Sequence, residues 1–238
     1  MLFPQVVYIP SIIKEFGKLM ETEVKIAFDS PEELKKITSE EWFIDYCMDE
    51  ASPSIYTLDN TYYDTPDRLL CSRGAVCRVR TFREEEGENR YEHTVKFGGK
   101  VNDGLYQRYE WNVKSSERFF NVDDFKIKAS RQEDPNEVLV DALTGITAED
   151  LKPLCTTVFE RTVYTFGYGD SIMEACFDVG KIEAGANSED ICELELELIS
   201  GDVVDLKDMA AFIIENTNGR FYNESKFQRS LRLLDSAQ

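Results

Sequence analysis

Charged residues recur at every second position along several β-rich stretches of this chain. The densest is Glu193-Leu194-Glu195-Leu196-Glu197-Leu198, whose strict alternation predicts a strand with three glutamates on one face and three leucines on the other. Same-face neighbours in a strand stand about 6.6 Å apart, so the carboxylates repel one another. Water screens that repulsion cheaply, and taken alone the stretch reads as an ordinary solvated strand face. Elsewhere the same spacing brings in both signs: Glu21, Glu23 and Lys25; Arg78 and Arg80; Glu92 and Lys96; Arg108 and Glu110; Arg161; Glu174 and Asp178. These faces converge if one sheet closes on itself with its polar side inward. A dry interior would charge each ion several kcal/mol, so such a lumen must be a wet tunnel in which charges neutralise one another and a ligand. Arginine grips phosphate oxygens bidentately and lysine acts as a point charge, which suits a multiphosphate anion. The carboxylates beside them suit Mg²⁺ or Mn²⁺, hard ions that prefer oxygen.

The elements that must present these residues follow from the flanking sequence. Strands are predicted over Glu21 to Ile26, Tyr56 to Tyr63, Ala75 to Arg83, Tyr91 to Phe97, Leu105 to Val113, Cys155 to Phe166 and Ile172 to Val179, then a short one at Lys181 to Ala184 before the glutamate ladder. Asp178-Val179-Gly180 is expected to end its strand. Asp29-Ser30-Pro31 starts a helix or helix pair running to about Met48, and Asp64-Thr65-Pro66-Asp67 caps a short helix stopped at Gly74. Glu84 to Asn89 reads as an acidic hairpin loop and Asn102-Asp103-Gly104 as a turn. Between Ser115 and Leu154 the pattern turns helical, with starts at Asp134-Pro135 and Thr147, a helical insertion covering the barrel. Asp205 to Asn216 and Asn223 to Leu234 are the last helices, the second carrying Lys226 and Arg229. His93 falls on the parity opposite Lys96 and is expected at the surface or in packing, not in catalysis.

Composition narrows the chemistry. A net charge of -19 over 238 residues argues against a general binder of nucleic acid or of anionic membranes, so an anionic ligand must find a local basic cluster. Six scattered cysteines without a C-x-x-C pair suit reduced thiols in a cytosol, and the localisation expected is cytoplasmic. One histidine excludes a multi-histidine metal site. Residues 1 to 19 lack the basic start of an export signal and are expected to be an extension ahead of one domain over residues 20 to 238, with Ser11 to Leu19 a possible docking helix. Oligomeric state leaves no mark in the sequence.

Taken in chain order, these residues resemble the CYTH superfamily, the triphosphate tunnel metalloenzymes. Its N-terminal E-x-E-x-K matches Glu21, Glu23 and Lys25, its R-x-R matches Arg78 and Arg80, and its strand lysine falls at Lys96. Its later arginine falls at Arg161, its D-x-G at Asp178 to Gly180, its E-x-E-x-E at Glu193 to Glu197 and its S-K at Ser225-Lys226. Tyr62 to Asp67, Gly104 to Arg108 and Ile191 to Asp202 look most like the bacterial inorganic triphosphatases. Cys77 stands where the family usually has an apolar residue, and the histidine-rich helical domain fused to many bacterial relatives does not follow in these residues, so polyphosphate binding tied to it is not carried over.

The resemblance implies an α+β fold: a closed antiparallel barrel of about eight strands with flanking helices. It implies metal-dependent hydrolysis of inorganic triphosphate to pyrophosphate and phosphate, with Mg²⁺ or Mn²⁺ as cofactor. By similarity Glu21, Glu23, Asp178, Glu195 and Glu197 hold metal, while Lys25, Arg78, Arg80, Lys96, Arg108, Arg161 and Lys226 hold phosphate. Glu21, Glu23, Lys25 and Glu193 are the catalytic candidates, and Glu110 is expected to orient basic groups or water. A class IV adenylate cyclase and a thiamine or nucleoside triphosphatase carry the same motifs, and a non-catalytic polyphosphate-binding module is a further alternative.

Overall fold

The computed structural model describes residues 20–48, 52–82, 89–130 and 137–236. The expectations for residues 1–19, for most of the acidic loop ending at Asn89 and for the helix start at residues 134 and 135 lie outside them.

Eight strands form the wall: β1 (Met20–Ala27), β2 (Ser54–Asp64), β3 (Ala75–Phe82), β4 (Arg90–Asn102), β5 (Leu105–Ser115), β6 (Lys152–Tyr168), β7 (Ser171–Ala184) and β8 (Asn187–Ser200). They lie in the order β5-β4-β3-β2-β6-β7-β8-β1, and β1 pairs antiparallel with both β8 and β5, which closes the barrel. A two-residue strand, β9 (Arg220–Phe221), adds to β1. The β4–β5 hairpin turns on Asp103 and Gly104, both at positive φ (50° and 73°), the backbone that an Asp-Gly pair supplies readily.

Among the described residues the helices are α1 (Pro31–Lys36), α2 (Glu41–Tyr46), α3 (Leu69–Ser72), α4 (Val122–Ser130), α5 (Glu137–Leu143), α6 (Val203–Asn216) and α7 (Lys226–Asp235). α1 to α6 lie on the outer, apolar face of the wall, whereas α7 packs through Phe227 against Tyr62, Cys155 and Ala184 and brings Lys226 to the cavity. Leu194, Leu196 and Leu198 pack with Leu206, Met209, Ala210 and Ile213 of α6 and with Leu34 and Phe43 of α1 and α2. Cys77, Val79, Val95 and Trp111 are covered by α4 and α5 through Phe125, Leu139 and Leu143. With its apolar cores outside, the barrel turns its alternate, charged residues inward.

Three local expectations change, and of the two places expected for His93 the structure selects packing. β7 runs unbroken through Gly180 to Ala184. A Cβ at Gly180 would lie 2.2 Å from the Val158 carbonyl oxygen, so this glycine permits close approach of β6 and does not make a turn. The segment after Asp29 is α1, a 3₁₀ turn at Ile37–Ser39 and α2, and it ends at Tyr46 before an isolated bridge from Cys47 to Phe166. Thr147 caps a 3₁₀ turn, Ala148–Asp150, through a reciprocal box with Asp150. His93 is fully buried: its Nε2 lies 2.8 Å from the Glu117 carbonyl, its Nδ1 accepts the Asn121 N–H at 3.2 Å, and its ring stacks on Phe120.

Candidate active site

Register brings the charged positions together. Glu21 lies opposite Arg108, Lys25 opposite Glu195, Lys96 opposite Glu110, Arg161 opposite Asp178, and Asp178 opposite Glu193. Within the barrel they surround a cavity of about 70 Å³. Seven basic side chains (Lys25, Arg78, Arg80, Lys96, Arg108, Arg161 and Lys226) line it against five acidic ones (Glu21, Glu23, Glu110, Glu195 and Glu197). In a chain of net charge -19, seven cations are thus gathered in one place, and Asp178 and Glu193, paired with Arg161 and Lys226 behind the wall, are further acids of the same network.

The carboxylates on β1 hold one group of cations. Arg108 donates from Nε to Glu21 at 2.8 Å and from Nη2 to Glu23 at 2.9 Å. Lys96 donates to both Glu21 oxygens at 2.8 Å and lies 3.0 Å from Glu110. Lys25 bridges Glu23, at 3.0 Å, and Glu195. Burial opposes charge on Lys25, yet Glu195 and Glu23 outweigh it and hold the ammonium well above the usual lysine range. Burial also opposes charge on Glu23, but Lys25 and Arg108 keep its carboxyl below the usual value.

A second group gathers β6, β7, β8 and α7. Arg161 grips Asp178 with two hydrogen bonds, 2.7 and 2.6 Å, and also reaches Glu195. Ser225 caps α7 by accepting the Gln228 N–H, which aims Lys226 of the first turn inward. Its ammonium meets Asp178 at 2.6 Å, Glu195 at 3.0 Å and Glu193. Against the penalty of burial, Lys226, Lys25 and Arg161 hold the Glu195 carboxyl well below its ordinary value. Glu193 goes the other way: burial, with Glu195 and Asp178 nearby, outweighs Lys226 and raises it.

Asp178, Glu193 and Glu195 present carboxylate oxygens within 4.8 Å of one another, all buried, a hard-oxygen set that fits a divalent cation. Of the carboxylates expected to bind metal, Asp178 and Glu195 belong to this cluster. Glu21 and Glu23 form the separate group around Arg108, and Glu197 stands half-buried on the cavity wall. Glu193, expected among the catalytic residues, joins the metal-competent cluster and does not line the cavity.

Arg78 and Arg80 are held differently. Arg78 donates from Nη2 to Thr94 Oγ1 at 2.9 Å, with Glu92 at 3.8 Å, while its buried Nε has no partner. Arg80 donates from Nε to Asn60 Oδ1 at 3.0 Å, and among the described residues no carboxylate lies within ion-pair distance of it. Burial first, then the guanidiniums of Arg78 and Arg161, push Arg80 down to about 10. Two like charges crowd Arg80, and Glu92, which opposes their effect, pairs with Arg78 at 3.8 Å.

Sequence reasoning left Asn60 without a role and gave Arg229 none beyond its helix. Arg229 donates to Glu193 at 2.9 Å and to Glu189 at 2.7 Å, so each Glu193 oxygen meets a cation from α7. Its position one turn after Lys226, on the same helix face, was the available signal. Phe159 lies beneath the Lys226 ammonium at 4.9 Å, and Phe227 packs on Tyr62 at 5.2 Å, which seats α7 on the barrel.

An inorganic triphosphatase from Haemophilus influenzae is 33% identical over 184 residues, covering 76% of this chain and 47% of that protein. The chain thus spans about half the length of that relative. A Hippeastrum candidate adenylyl cyclase with a dominant triphosphatase activity superposes with a TM-score of 0.57 at 14% identity, covering 92% of this chain and 96% of that one. A Pyrococcus horikoshii protein gives a TM-score of 0.50 at 16% identity, covering 88% and 98%. At these identities the structures share the fold. The CYTH domain profile matches residues 19–231, the span that holds every strand of the barrel and the capping turn of α7, and the chain belongs to the CYTH domain family.

Proposed function

We propose that this chain hydrolyses inorganic triphosphate to pyrophosphate and phosphate inside the barrel, with Mg²⁺ or Mn²⁺. The observation that carries the reading is the pair Arg78 and Arg80 on the cavity wall, hydrogen-bonded to the neutral Thr94 and Asn60, with Glu92 3.8 Å from Arg78. A guanidinium with free donors takes two oxygens of one phosphoryl group, and a linear multiphosphate supplies such groups in a row.

The remaining basic residues reach the anion by exchange. Lys25, Lys96, Arg108, Arg161 and Lys226 each neutralise protein carboxylates. A polyphosphate entering the cavity offers them stronger anionic partners and leaves carboxylates in need of a cation. Asp178, Glu193 and Glu195 would then hold the metal, with Glu197 further along β8 and Glu23 opposite it on β1. Bound there, a divalent ion supplies neutralisation of phosphoryl oxygens as charge develops on the leaving group. Glu21 and Glu23 fix Arg108 and Lys25, and Glu110 fixes Lys96, so that the phosphate-binding groups are positioned before substrate arrives.

The test is orthophosphate release from tripolyphosphate, longer polyphosphate, ATP and thiamine triphosphate, with and without Mg²⁺ or Mn²⁺. Tripolyphosphate turnover that needs metal and outpaces ATP is expected. Equal or faster ATP turnover would move the assignment to a nucleotide triphosphatase or, with pyrophosphate as the released product, a cyclase.

A further inference from the structure

We propose that Asn60 is the positioning residue for Arg80, holding its guanidinium through a neutral amide so that its full charge and both Nη nitrogens are left for a phosphate group of the substrate. This rests on the triphosphate reading above. Asn60 sits within β2 and is 1% exposed. Its direct cross-strand partners are Arg80 on β3 and Thr157 on β6, and it bonds both: Oδ1 accepts from Arg80 Nε at 3.0 Å, and Nδ2 donates to Thr157 Oγ1 at 3.0 Å. Arginine has donors only, so the amide oxygen must face Arg80 and the amide nitrogen must face Thr157. Thr157, with no exposed surface, accepts the amide N–H that this orientation turns toward it.

The choice of an amide matters because an aspartate here would accept the same bond with the same reach. It would also neutralise the guanidinium. Elsewhere in the lumen carboxylates do that: Lys25, Lys96, Arg108, Arg161 and Lys226 each touch at least one at 3.0 Å or less. Arg80 is oriented and left charged. Bidentate capture of phosphate needs a guanidinium plane fixed in rotation with its outer nitrogens free, and a grip on Nε alone provides both.

Two substitutions separate geometry from charge. Asn60→Asp keeps the acceptor and is expected to hold the melting temperature at or above the parent's, while KM for tripolyphosphate with Mg²⁺ rises about 10- to 100-fold, the range of a hydrogen bond to a charged group. Asn60→Leu removes the grip and should raise KM as well, with a smaller change in kcat. In an Arg80→Ala background, Asn60→Leu should raise KM no further, because Asn60 acts through Arg80. Should the leucine variant fail to fold, Asn60→Ser enters the same double-mutant cycle. Unchanged KM in Asn60→Asp, or an equal effect of the Asn60 substitution with and without Arg80, would overturn the role of Asn60 while the triphosphate reading stood. No tripolyphosphate binding by the parent, by calorimetry with Ca²⁺ in place of Mg²⁺, would overturn that reading and this role with it.

Discussion

At the scale of single residues, Glu195 is the most heavily shared counter-ion of the lumen. Lys25, Arg161 and Lys226 all bond to it, and each also keeps a second carboxylate, Glu23 for Lys25 and Asp178 for the other two. Glu195→Gln therefore leaves no cation stranded. The variant is expected to fold with about 1–3 kcal/mol less stability in denaturant titration, and to lose about 100-fold or more in kcat. His93 supplies a separate test, because it is the one imidazole in the chain. Burial lowers it below 6.5 against the pull of the Glu117 carbonyl, and its Nδ1 acceptor is lost on protonation. Its contribution is present above the ordinary 6.5 and lost as pH falls through the lowered folded value. Glu195 and Glu23, also depressed, give up theirs only below their ordinary 4.5. Melting temperature should thus fall in two steps on acidification. His93→Gln, whose amide donates and accepts without titrating, should abolish the upper one; an unchanged upper step would assign it elsewhere. Parity at every second residue made the lumen's charged side chains legible in the sequence, since charge is visible in one letter. Asn60 was not legible, because a neutral amide amid β-formers carries no sign to count, and its importance comes from two partners distant in sequence.

At the scale of elements, the start of α1 was legible because Ser30 caps it ahead of Pro31, whereas α6 and α7 start at Val203 and Lys226 under the caps Asp202 and Ser225, and not at the Asp205 and Asn223 expected. The break expected at Gly180 failed because a glycine has two uses, and sequence alone reads the commoner one. Here it lets β6 and β7 meet over paired residues from Thr156↔Glu183 to Tyr168↔Ser171. Gly180→Ala would drive a methyl to 2.2 Å from the Val158 carbonyl and 2.4 Å from Phe159 Cα, backbone atoms that cannot rotate away. The expected cost is about 1–3 kcal/mol of overpacking, a fall of about 2–4 °C in melting temperature for each kcal/mol. Gly145→Ala is the comparison, since it meets nothing within 4 Å and suffers only a positive φ of 75°. A smaller loss at Gly180 than at Gly145 would show that the two strands can part without penalty.

At the scale of the whole molecule, the two larger apolar clusters lie outside beneath α1 to α6, while the ions lie inside beside smaller apolar clusters that seat α7. Closure through β1 is what makes those ions affordable, because it brings the β1 carboxylates to Arg108 of β5 on one side and Lys25 to Glu195 of β8 on the other. An anion that enters must interact with the folded barrel alone, since the unfolded chain has no lumen. Tripolyphosphate with Ca²⁺ in place of Mg²⁺ should therefore raise the melting temperature by mass action, by about 2.7 kcal/mol at a concentration one hundred times Kd. Arg80→Ala should remove most of that rise, because a charge-assisted bond to phosphate in a water-poor cavity is stronger than one at the surface. Arg90 tests the alternative of diffuse attraction: it is exposed on β4, beside the Phe82 ring at 5.6 Å, and does not line the cavity. Arg90→Ala should leave the ligand shift intact. Equal losses from the two substitutions would place the anion on the outer surface, where a chain of net charge -19 offers it little.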